Sequence, residues 1–105
     1  MRTAPMPLDK YLDDKATAFG DEMYKRLQAN KGKGGWESTE IEYLILKLTE
    51  EFAEFITAIR DNDQKEVARE GADLANISMM LVDRIYGLNL PSECKGEEWQ
   101  HLSTA

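Results

Sequence analysis

With 105 residues, 42% hydrophobic and 31% charged, the chain fits one small soluble domain, near the lower end of sizes that sustain a core alone. A formal net charge of −7 disfavours polymeric nucleic acid or an anionic membrane as partner, because both select basic surfaces, but leaves room for a small anion bridged by cations. The lone Cys94 cannot form an intramolecular disulfide, no apolar run approaches the roughly 20 residues of a membrane span, and no leader-like segment opens the sequence, so the expected setting is cytoplasmic.

After two prolines in the first seven positions, apolar residues recur at Leu8, Leu12, Ala16, Phe19, Met23 and Leu27, the alternating spacing of an amphipathic helix over about 8–29. Gly20 inside it weakens the helix by roughly 1 kcal/mol relative to alanine. The segment Asn30 to Trp36 holds three glycines and two lysines and breaks the pattern; it lacks the spacing of a phosphate-binding P-loop. A second helix is expected over 39–61, with Thr39 and Glu42 at capping-box spacing and a buried seam of Ile41, Ile45, Leu48, Phe52, Phe55 and Ile59. Asp61-Asn62-Asp63 ends it, and Asp63 with Glu66 caps a third helix over 63–86 that Gly87 stops. The tail, 88–105, is polar except for Leu90, Trp99 and Leu102.

The third helix is apolar nearly all round from Leu74 to Val82, which three helices of one chain cannot cover. The expected fold is therefore all-α: three helices per chain completing a four-helix-bundle-type core by homo-oligomerisation, as a homodimer or homotetramer.

Glu51 and Glu54 stand three residues apart, and so do Glu70 and Asp73, a spacing that puts each pair on one helical face. If the two helices are antiparallel neighbours, the pairs come level and four carboxylates converge on one groove. Such crowding requires a cation or shared protons, and an oxygen-only donor set suits Mg²⁺ or Mn²⁺ better than Zn²⁺ or copper. A solvated charged face is the competing reading. Against it, the residues four positions after Glu51, Glu54 and Glu70 are Phe55, Ala58 and Leu74, where a solvated face more often carries lysine or arginine.

The pattern Glu51-x-x-Glu54, a gap of fifteen residues, then Glu70-x-x-Asp73 resembles the MazG-like all-α nucleoside triphosphate pyrophosphohydrolases. Lys33-Gly34-Gly35-Trp36 and Ala72-Asp73-Leu74-Ala75-Asn76 are similar to the small single-domain members of bacteria and bacteriophages, over roughly residues 19–91. The resemblance implies hydrolysis of a (d)NTP to (d)NMP and pyrophosphate, with Mg²⁺ bound by Glu51, Glu54, Glu70 and Asp73. Larger relatives continue beyond the Leu-Pro turn, here Leu90-Pro91, into a phosphate-binding helix; this sequence offers only Lys95 there.

Within that frame Glu50 is a candidate to orient or deprotonate the attacking water. Trp36 is placed either against the base or as a staple at the start of the second helix, and Lys31 and Lys33 either at the triphosphate or in solvent. Asn76 needs a partner in an apolar helix, either ligand or inter-helix, and Arg84 falls on about the face of Asp73, reaching a phosphate or a surface carboxylate. Two further classes stay open: a non-catalytic helical assembly module, and a di-iron carboxylate protein using Glu98-x-x-His101, which would need a second such motif.

Overall fold

The structure is a computed structural model and describes residues 7–88. Leu90, Pro91, Cys94, Lys95, Glu98, Trp99, His101 and the tail assigned to 88–105 lie, apart from Leu88, outside the described residues. Within them the chain is helical without a strand: α1 over Leu8–Ala29, a single 3-10 turn at Lys31–Lys33, α2 over Ile41–Arg60 and α3 over Gln64–Ile85.

Three residues, Asp61 to Asp63, join α2 to α3, which folds the two helices back on one another. Asn62 makes the reversal with a φ of 57°, a left-handed step that asparagine tolerates. Asp63 then caps α3, its Oδ1 accepting the Glu66 backbone N–H at 3.2 Å. At the far end Gly87, φ 85°, turns the chain out of α3 while its N–H still reaches the Val82 and Asp83 carbonyls. The start of α2 differs from the capping-box expectation. Its first flanking residue is Glu40 and no side chain caps it; Thr39 instead donates its backbone N–H to the Trp36 carbonyl, closing a turn before the helix begins.

The α2–α3 seam differs from the expected heptad line. Leu44, Leu48, Glu51, Phe55 and Ala58, spaced four and three apart, form the partly or fully buried stripe of α2, with Leu44 and Ala58 buried outright. Ile45, Phe52 and Ile59, seven residues apart, are 51%, 55% and 48% exposed within the chain. Both sets satisfy helical periodicity on adjoining faces, so the spacing alone did not separate the face that meets α3 from the one beside it.

Where α2 and α3 draw closest, Gly71 faces Phe55: a Cβ on Gly71 would stand 3.1 Å from the Phe55 ring. That missing side chain admits the ring, and it levels Glu54, just before Phe55, with Glu70, just before Gly71. Ala72, fully buried, continues the same close approach. α1 packs on α3 through its C-terminal part, where Met23 and Leu27 are half-buried; Leu8, Leu12 and Phe19 remain exposed. No helix among the described residues is long and apolar enough to cross a membrane.

Candidate functional site

Helix packing brings three carboxylates of two helices together. Glu51 from α2 and Glu70 and Asp73 from α3 each present an oxygen within 4.8 Å of the others, and all three are half-buried. Their environment opposes full ionisation. Burial, then the neighbouring Glu54, Glu70 and Asp73 carboxylates, push the Glu51 carboxyl up to about 7, and burial followed by Glu54 and Asp73 raises Glu70 as well. Glu54 is exposed, yet near enough for its charge to act on both Glu51 and Glu70. One oxygen of Glu70, Oε1, is buried with no hydrogen-bond partner.

A guanidinium enters this cluster from α1. Arg26 donates from Nε to Asp73 Oδ1 at 2.9 Å and from Nη2 to Oδ2 at 3.3 Å. The two-point bond to Asp73 raises the arginine above its ordinary range, and the Glu70 and Glu51 charges add to it. One positive charge thus faces at least three acidic groups. An orphaned buried carboxylate oxygen and an oxygen-only donor set have the character of a site for a hard divalent cation, so Glu51, Glu70 and Asp73, with Glu54 adjacent, could hold Mg²⁺ or Mn²⁺.

These residues line one side of a cavity of about 570 Å³. Trp36, Tyr43, Ile77 and Met80 supply apolar wall, Lys33, Lys47 and Arg69 supply positive charge, and Gly34 and Gly35 bring backbone to the edge. Gly34 has a φ of 84°, which explains a glycine there. Trp36 is half-buried, and its Nε1–H donates to Asp83 Oδ2 at 2.9 Å.

Of the residues singled out from sequence, Glu51, Glu54, Glu70, Asp73, Lys33, Trp36 and Asn76 line this cavity. Glu50, Lys31 and Arg84 do not. Glu50 is exposed and bound at 3.1 Å to Lys47, so its carboxylate is engaged by a lysine that itself lines the cavity. Lys31 is exposed in the 3-10 turn, and Arg84 is half-buried with an unpartnered Nε. Asn76 is 4% exposed, and its Nδ2 donates to the Met23 carbonyl at 2.9 Å, so it ties α3 to α1 across the cavity edge.

Arg26, Lys47, Arg69 and Tyr43 were not singled out from sequence. For Arg26 a signal existed, because it sits between Met23 and Leu27 at the margin of the apolar stripe, where a charge is drawn against a partner helix.

Helices alone, with carboxylates of two of them meeting beside a cavity, are the architecture of the all-α nucleotide pyrophosphohydrolases. Residues 8–98 match the phosphoribosyl-ATP pyrophosphohydrolase family, and the chain belongs to that family. It is a family of pyrophosphohydrolases acting on a nucleotide phosphoanhydride and is related to the MazG-like enzymes. No curated protein and no solved structure matches the chain.

Proposed function

We propose that the protein is a divalent-metal-dependent pyrophosphohydrolase of the small MazG-like type, converting a (d)NTP to the (d)NMP and pyrophosphate. The observation that supports this reading best is the meeting of Glu51, Glu70 and Asp73 within 4.8 Å beside a cavity that also holds Trp36 and Lys33. In the reaction a water oxygen bonds to the α-phosphorus, the bond from that phosphorus to the bridging oxygen breaks, and pyrophosphate leaves with the electron pair. Bound Mg²⁺ or Mn²⁺ would neutralise phosphate oxygens and acidify the attacking water.

The chain's own groups divide the remaining work. Glu51, Glu70 and Asp73 are the natural cation ligands, and Arg26 fixes the orientation of Asp73. Glu54 stands beside them on the cavity side and takes the water's proton or joins the ligand set. Glu50, proposed for that proton from sequence, would first have to leave Lys47 and turn around α2. Lys33, Arg69 and Lys47 meet the phosphates; Lys31 and Arg84 would need rearrangement to do so.

The family name favours a second substrate, phosphoribosyl-ATP, whose triphosphate offers the same bond. One assay decides between them: the eight common (d)NTPs and phosphoribosyl-ATP are each incubated with Mg²⁺ or Mn²⁺, and the products are separated. Pyrophosphate and a monophosphate are expected from the true substrate. Release of orthophosphate, or turnover undiminished by a chelator, would sink the reading.

We propose a second copy of this chain as a partner, giving a homodimer or homotetramer. Only Leu44, Ala58 and Ala72 are buried apolar residues among those described, while Ile45, Phe52 and Ile59 line up exposed on α2. A stripe of that kind is expected to be covered by another helix.

A further inference from the structure

The indole of Trp36 and the carboxylate of Asp83 lie 47 residues apart in sequence yet are bonded at 2.9 Å, Nε1–H to Oδ2. The other oxygen of Asp83 is also committed: Oδ1 accepts the Leu88 backbone N–H at 2.9 Å. One carboxylate thus spans three segments, the glycine-rich loop, the last turn of α3 and the chain just after it. Both hydrogen bonds hold Asp83 below the ordinary carboxylate range, so it stays ionised and a strong acceptor.

That bond settles what Trp36 can offer a ligand. The indole has a single polar atom, a donor, and Asp83 consumes it. What remains toward the cavity is π surface, beside Met80, Ile77 and Tyr43. The indole face takes a flat aromatic ring by stacking and does not itself discriminate among rings by hydrogen bonding. The position is consistent with this. Along α3, at about 1.5 Å per residue, Asp83 stands roughly 15 Å from Asp73, so the indole is tied to the helix end remote from the carboxylates. Phosphates at the carboxylates leave the other end of the ligand for the tryptophan.

We infer that Asp83 is a positioning residue, which fixes the Trp36 ring as a stacking platform for the base, the ring itself conferring no preference among bases. This rests on the nucleotide reading above. Without Asp83 the indole, carried on a loop with three glycines, has no second anchor in α3, and ordering it on binding costs entropy that the native bond has already met.

The test is calorimetric binding, in Mg²⁺, of adenosine and uridine α,β-imidotriphosphates, which resist cleavage at the scissile position, and of inorganic tripolyphosphate. Asp83→Ala is expected to weaken both nucleotides about tenfold and tripolyphosphate less than about twofold. Trp36→Phe, which keeps a ring but removes the bonded N–H, is expected to reproduce most of the loss, and the double variant to add little. Circular dichroism on each variant reports the fold, and Trp36→Phe carries the test should Asp83→Ala not fold. Equal weakening of tripolyphosphate and nucleotides, or unchanged nucleotide binding in a folded variant, overturns the inference. If wild type binds tripolyphosphate as tightly as the nucleotides, the inference fails while the phosphate site stands; if it binds none of the three, the nucleotide reading itself fails.

Discussion

Arg26 and Asp73 are joined by a two-point ion pair, Nε to Oδ1 at 2.9 Å and Nη2 to Oδ2 at 3.3 Å, that pins α1 to the acidic face of α3. Both side chains are largely withdrawn from solvent, 28% and 17% exposed, so the pair is screened less than a surface bridge. It also sits against Glu51 and Glu70. The guanidinium is therefore both a strut between helices and the main nearby offset to carboxylate repulsion.

Replacing it separates those roles. Arg26→Ala is expected to destabilise the cation-free protein by about 1–3 kcal/mol, the usual cost of deleting a partner of a charged hydrogen bond. With the guanidinium gone the carboxylates lack compensation, so millimolar Mn²⁺ should raise the melting temperature more in the variant than in wild type. Scanning calorimetry with and without Mn²⁺ checks both. Equal Mn²⁺ shifts in the two proteins would argue that Arg26 carries none of the electrostatic load.

Two acidic residues of α2, four positions apart, offer a direct contrast. Glu50 is bound to Lys47 on an exposed face, whereas Glu54 lines the cavity beside Glu51 and Glu70. On the proposed function, Glu54→Gln is expected to lower pyrophosphate release at least about 100-fold, the range for losing a proton acceptor or ligand neighbour. Glu50→Gln should leave it within about threefold. A collapse of turnover in Glu50→Gln with intact Mn²⁺ binding would return the water-activating role to Glu50.

Which parts of this site were legible in sequence follows from how helices encode position. The pairs Glu51/Glu54 and Glu70/Asp73 are separated by less than one turn, so their faces are set by local geometry, and a three-residue connection brings the two helices level. Asp63 and Gly87 were legible for the same reason, as local end signals. Arg26 was not. Its place against Asp73 depends on how α1 slides and rotates on α3, and no short-range pattern records that. The α2 stripe was half legible: periodicity found an apolar surface wider than one contact needs, but not which edge of it, Leu44–Ala58 or Ile45–Ile59, turns toward α3. Thr39 matched a capping pattern, yet its backbone N–H is drawn into a turn with the Trp36 carbonyl, so one local signal displaced another.

Acidic crowding should also be visible in the pH dependence of stability. The Glu51 carboxyl is raised to about 7 by burial and by Glu54, Glu70 and Asp73, while in the unfolded chain it titrates near the usual value of about 4.3. For a raised group the folded state prefers the protonated form. Its stabilising contribution is complete below the unfolded value, declines as pH rises, and is gone above about 7. Glu70, shifted in the same direction, adds to the trend. With chelator present, the melting temperature is expected to fall between about pH 4.5 and 7, and Glu51→Gln to flatten that slope. A wild-type profile that rises over this interval no less steeply than that of Glu51→Gln would contradict the arrangement.

The exposed stripe on α2 yields the last expectation. Ile45, Phe52 and Ile59 recur every seven residues on one face, at the spacing with which helices pair at a shallow angle. A second copy of the chain laid on this stripe would cover Phe52. A charge at the centre of the stripe opposes any such covering, because an unpaired carboxylate would be buried. Phe52→Glu is therefore expected to convert an oligomer to a monomer, read by light scattering after gel filtration. It is also expected to lower the midpoint of thermal unfolding, since little apolar surface is buried within one chain. A monomeric wild type with the same melting profile as Phe52→Glu would show that the stripe is surface.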